Sequence, residues 1–127
     1  MGLIERILHL SRLAPFDALR ESELIAVADV CRSRVYGPGE RVGREGEILS
    51  RLVVVIEGGF VTAKGQPASP LIGLSSVLLA QELRQGLIAG EVGARSLEIG
   101  AGHVFTLVNE CPSWTLGCLR LQDAPED

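Results

Sequence analysis

The chain has 127 residues, of which 46% are hydrophobic and 22% charged, which excludes the polar, highly charged composition of disordered chains and leaves room for one core rather than two. With 12 basic against 16 acidic residues and a net charge of -4, there is no basic patch to neutralise a phosphate backbone, so nucleic acid is not an expected partner. Glu5, Arg6 and His9 interrupt the apolar N-terminus, and no uncharged run approaches the ~20 apolar residues of a membrane span, so a cytoplasmic chain without a transmembrane segment is expected.

Cys31, Cys111 and Cys118 lack CxxC spacing and read as buried, reduced thiols. His9 and His103 lie far apart, too few ligands for a zinc centre, so no metal is expected. The elements then follow in order. Leu3, Ile4, Ile7 and Leu8 recur at helical spacing and predict a short helix over about 3–10. Pro15 breaks it, Phe16 and Leu19 plug the core, and a second helix follows with Glu21 and Glu23 near its start and Leu24, Val27, Ala28 and Cys31 on one face. Pro38-Gly39 and Glu45-Gly46 mark reversals between strands. The run Leu52 to Ile56 reads as a strand buried on both sides, closed by Gly58 and Gly59, with Phe60 to Ala63 running back as another.

After a loop at Lys64 to Pro70, Gly73 followed by Ser75 and Ser76 predicts a glycine turn into a short helix with a serine cap. Leu87 to Ala89 and Arg95 to Ile99 read as two strands around a Gly90 to Gly93 turn. Val104, Leu107 and Val108 return to helical spacing before Pro112, and Trp114, Leu116, Leu119 and Leu121 populate a last helix. Leu3, Ile7 and Trp114 are candidates for an exposed apolar patch, against the plainer reading that they complete the core. The expected fold is mainly β with flanking helices (α+β), an antiparallel β-roll of jelly-roll type. A single domain over 1–127 is expected, with helices at 1–33, the roll at 34–100, helices at 101–122 and an acidic tail at 123–127.

Tyr36, Pro38, Gly39, Val42, Glu45, Gly46, Leu52, Val55 and Gly58, preceded by LAPFDAL and followed by HVFTLVNECPSWTLGCL, stand in an order that resembles the cyclic-nucleotide-binding domain family over nearly the whole chain. In that family the ligand sits in a phosphate-binding cassette, a short helix entered through Phe-Gly-Glu and followed by an Arg at the start of a strand. Helix amides cradle the cyclic phosphate, the Arg pairs with its charge, and the Glu accepts from the ribose hydroxyl. The resemblance implies Gly73, Leu74, Ser75, Ser76 and Arg84 as the candidate ligand- or anion-binding residues.

The cassette departs from the pattern: Leu74 stands where the ribose-binding Glu would be, and Leu83-Arg84 replaces the usual Pro-Arg. A hydrogen bond to a charged group contributes roughly 1.5 to 3 kcal/mol, so losing the carboxylate weakens ribose recognition by about one to two powers of ten. A one-residue offset of Arg84 in a strand turns its guanidinium to the opposite face. Arg84 as anion partner and as surface residue both stay open, as do Ser75 and Ser76 as an anion cradle or as helix caps.

No catalytic set is visible. His103 has no nucleophile or acid placed beside it, Glu98 and Glu110 read as isolated carboxylates, Cys111 lacks an activating partner, and the roll interior reads as Leu, Val and Ile without convergent polar groups. After Leu121 the residues QDAPED match no DNA-reading element. The expectation is a non-catalytic regulatory or protein-interaction domain that has lost cyclic nucleotide binding and needs no cofactor. Its expected partner is another protein or a fused domain, or a second copy through the terminal helices. The alternative is a working sensor of cAMP, cGMP or a related anion.

Overall fold

A computed structural model describes residues 1–122, so the acidic tail predicted at 123–127 lies outside the described residues. The described residues form two compact units, a helical one from Met1–Cys31 and residues 102–122, and a sheet unit over Arg32–Ala101.

The helical unit holds α1 (Leu3–Ser11), a 3-10 turn (Phe16–Ala18), α2 (Glu21–Val30), α4 (Ala101–Glu110, all but its first residue) and α5 (Pro112–Gln122). Phe16 and Trp114 are fully buried with ring centroids 5.8 Å apart, a tilted aromatic pair that anchors the 3-10 turn to α5. Trp114 therefore finishes the core and contributes nothing to a surface patch. Leu3 and Ile7 are half-buried, and the apolar residues of α1 that face water are Ile4 and Leu8. Gly117 admits the close approach of Pro15, whose Cβ would lie 2.6 Å from any Cβ at that position.

Glu23 caps the start of α2: the Arg20 N–H donates to Glu23 Oε1 at 2.9 Å and the Arg20 guanidinium donates to Oε2 at 3.3 Å. The Arg20 backbone donor, then its side chain, then the Cys111 thiol hold the Glu23 carboxyl down at about 2. Burial pushes the thiols of Cys31 and Cys118 up to about 12 and that of Cys111 to about 11. All three are inert, buried thiols, as their spacing implied.

The sheet unit contains β1 (Arg32–Tyr36), β2 (Arg41–Gly43), β3 (Arg51–Val61), β4 (Leu71–Ile72), α3 (Leu74–Leu79) and β5 (Leu87–Gly100). All its pairings are antiparallel, in the order β1-β5-β3-β4, with β2 joining β5 beyond β1. This is the expected β-roll, with three corrections to its strands. Leu87–Ala89 and Arg95–Ile99 belong to one strand, because β3 runs beside both and holds them in line. Phe60 continues β3 instead of starting a new strand, and Gly58 sits at a bulge between Val55 and Phe60. Burial on both faces ends at Val54, since Val55 and Ile56 are half-buried.

The turn at Gly37–Glu40 closes with a 3.0 Å bond from Glu40 N to Gly37 O, Gly39 having φ +79°. It turns a corner without making a hairpin, since β1 and β2 both pair with β5. Gly58 and Gly93 let three strands close on one another: a Cβ on Gly58 would lie 2.1 Å from Gly93 O, and one on Gly93 would lie 2.5 Å from Tyr36 O. Tyr36, Val42, Leu49, Val53, Phe60, Ile72, Leu87, Ala89 and Ala94 form the core inside the roll. Tyr36 and Phe60 meet edge to face at 5.0 Å within it.

Candidate functional site

The cassette hangs from the edge strand β4, whose Ile72 and Leu71 pair with Val53 and Val54. Gly73 then takes φ +96° and caps α3, with Val77 N donating to its carbonyl at 2.9 Å. A Cβ at Gly73 would lie 2.6 Å from Arg51 O and 3.3 Å from Leu49 Cδ1, so glycine is required by both conformation and space.

The N-cap of α3 is Gly73 and not a serine; Ser76 is buried, and its Oγ donates to Gln81 O at 2.7 Å, tying the far end of the helix down. Ser75 is half-buried, and its carbonyl accepts from the backbone N–H of Ala80, a residue in the left-handed region at φ +52°. Leu74 is 7% exposed at the first position of α3.

Arg84 lies outside β5, in the bend that precedes it, and is exposed. Leu83 N donates to Glu47 O at 2.8 Å, Gly46 N donates to Leu83 O at 2.9 Å, and the leucine side chain packs on the roll core. Arg84 is therefore not in a strand, and the face-switching expected of a one-residue offset does not apply to it. The structure thus brings Gly73, Leu74, Ser75 and Ser76 together on one short helix and leaves Arg84 on the surface.

A second group of polar residues converges inside the roll, contrary to the apolar interior read from the sequence. Glu98 and Ser96 alternate with Leu97 on β5, and Glu98 stands in register with the core residue Val53. The Glu98 carboxylate accepts from Arg51 Nε at 2.9 Å, from Ser96 Oγ at 3.3 Å and from the Tyr36 hydroxyl. Arg51 Nη2 donates to Tyr36 Oη at 3.3 Å and to Val42 O at 3.2 Å, so this guanidinium joins β1, β2, β3 and β5. Glu98 is therefore not isolated.

Burial disfavours the Arg51 cation, but the Tyr36 hydrogen bond and the Glu98 charge outweigh it and raise its pKa. Burial, followed by the hydrogen bond to Glu98, raises that of Tyr36, which stays a donor. Arg34 stacks over the Tyr36 ring with Cζ 4.5 Å from its centroid. The cluster is neutral and internally satisfied, which makes it a structural tie. His103 is exposed in the first turn of α4, and no metal-holding group of His, Cys, Asp or Glu occurs among the described residues. No helix among them is long and apolar enough to cross a membrane.

No family profile and no curated protein match this sequence. Solved structures do match. The regulatory domain of Toxoplasma gondii PKA, crystallised with cAMP, superposes with a TM-score of 0.79 at 16% identity, over 96% of this chain and 50% of that one. The regulatory subunit of a cAMP-independent protein kinase A from Trypanosoma brucei gives 0.77 at 18% identity, over 97% and 48%. The N-terminal domain of a transcriptional regulator from Streptomyces coelicolor A3(2) gives 0.66 at 22% identity, over 87% and 84%. The chain spans about half the length of each of the first two. Its fold is that of the cyclic-nucleotide-binding regulatory domains.

Proposed function

We propose that this chain is a non-catalytic regulatory or protein-interaction domain with the cyclic-nucleotide-binding fold, whose cassette no longer binds cyclic nucleotide. The observation that carries this reading is Leu74, buried at the start of α3 where a carboxylate would be needed. A ribose hydroxyl brought against it finds no acceptor, and a buried hydroxyl without a partner costs about 1 to 3 kcal/mol. The exposed position of Arg84 beside an inward Leu83 supports the same reading. So does the existence of a similar fold in a kinase regulatory subunit described as cAMP-independent.

The alternative, a cAMP or cGMP sensor using Gly73, the Ser75 and Ser76 amides and Arg84, is favoured by the likeness to a domain crystallised with cAMP. Calorimetric titration of the folded chain with cAMP and cGMP at low salt separates the two. No heat up to millimolar nucleotide is the expected result. Low-micromolar binding that disappears in Arg84→Ala would establish the sensor.

A further inference from the structure

A different feature of the sheet unit points to a partner. Strand β1 is the terminal strand of the sheet order, and among the described residues it pairs with β5 alone. It runs in unbroken register, Arg32 opposite Glu98 through Tyr36 opposite Ala94, without a bulge, proline or glycine. Arg32, Ser33, Arg34 and Val35 are all exposed, Val35 at 65%. An edge of this regularity presents main-chain donors and acceptors to any strand that can lie beside it.

The side chains select which strand that is. Arg32 and Arg34 fall on one face, Ser33 and Val35 on the other. Arg34 also reaches Glu40 at 3.5 Å, but both side chains are about half exposed and the pair is open to exchange with a better-placed carboxylate. A second copy of β1 is the wrong occupant. Antiparallel pairing centred on Arg34 sets that arginine against itself, and pairing centred on Ser33 sets Arg32 against Arg34, like charges directly opposite in both, while pairing centred on Val35 overlaps only Arg34 to Tyr36.

We propose that β1 is a docking edge for an extended acidic segment of a partner protein, in which carboxylates at alternate positions face Arg32 and Arg34 and an apolar residue just outside that pair, next to the one facing Arg34, meets Val35 on the other face. This site is separate from the cassette, so the outcome of the nucleotide titration neither supports nor removes it.

The test uses the full chain and a fluorescein-labelled peptide, acetyl-Thr-Glu-Val-Glu-Val-Thr-amide, followed by anisotropy. Saturable binding is expected, weakened by salt, weakened roughly tenfold in Arg32→Glu/Arg34→Glu, and abolished when alternate peptide nitrogens are methylated. Both substitutions lie at exposed positions, and circular dichroism checks that the variant is folded. The proposal is overturned by absence of saturation up to millimolar peptide, by equal binding of the peptide with Lys in place of Glu, or by binding that survives the double substitution or the N-methylation. Self-association of the chain that the double variant abolishes would put a second copy on the edge and overturn it as well.

Discussion

The cassette and the Arg51 cluster lie at adjoining places in the roll, since Gly73 packs on the Arg51 carbonyl, yet they treat charge in opposite ways. The cassette keeps an apolar side chain inside at Leu74 and leaves its arginine, Arg84, at the surface. The cluster holds a guanidinium and a carboxylate within the roll and supplies each with partners from neighbouring strands. A partly buried charge is tolerated where the chain itself completes its hydrogen bonds, and a site without such partners is filled with apolar groups. The difference teaches that a charge inside this roll is held by hydrogen bonds from the strands around it.

The comparison breaks most sharply at the shared contact. Gly73→Val forces a β-branched residue to φ +96° with its Cβ 2.6 Å from Arg51 O and is expected to cost about 3 kcal/mol in urea unfolding. A loss below about 1 kcal/mol would mean that α3 moves freely on the roll.

Leu74→Glu tests the cassette by itself. Placing a carboxylate at a position 7% exposed should lower stability by about 2 kcal/mol. It should also fail to create cAMP binding, because Arg84 remains outside. Gain of micromolar affinity from this one change would show that the arginine is within reach.

At the cluster, Glu98→Gln leaves Arg51, whose side chain is 24% exposed, without its counter-charge. Solvent reaches the cation, so the expected loss is roughly 1–2 kcal/mol rather than that of a fully buried pair. A double-mutant cycle with Arg51→Met should return a coupling of about 1 kcal/mol; additivity of the two losses would deny the tie. The smallest effect belongs to a pair in the helical unit, Glu23 with the exposed Arg20. The Glu23 carboxyl sits at about 2 in the folded chain against an ordinary 4.5, so its contribution is complete above the ordinary value and is lost as pH falls through about 2. Carboxyl shifts followed by NMR should give that depressed midpoint, and a Glu23 midpoint near 4 would remove the cap from the account.

Much of the roll is legible in the sequence because its turns rest on local chemistry. Pro38-Gly39 and Glu45-Gly46 announce turns, although the expected reversal at Pro38-Gly39 is not made, since β1 and β2 run the same way along β5, and Gly73 announces the start of α3. Glycines at bulges carry the same signature, which is why Gly58-Gly59 reads as an end and Gly90 to Gly93 as a turn where the strands in fact continue. Non-local pairing decides those cases. The candidate site divides along the same line: Leu74 in place of a carboxylate is visible in the chain, whereas the inward turn of Leu83 depends on its bonds to Gly46 and Glu47. Glu98 looks isolated because its partners Arg51 and Tyr36 are 47 and 62 residues away in sequence. The one available signal was the spacing of Ser96 and Glu98, which places both on the same face of a strand.

Among the described residues, strand β5 is the sole partner of β1 and of β2, and the main partner of β3. During synthesis, everything from Arg32 to Val61 therefore leaves the ribosome before the strand that organises it exists. Until residues 87–100 emerge, the apolar run Leu52 to Val55 has no ladder beyond its short pairing with Leu71 and Ile72. Sheets of such long-range contacts close late and all together. A nascent chain halted short of Gly100 would be held as an open, aggregation-prone segment, and the interval between Val61 and Gly100 is where a chaperone would have work to do.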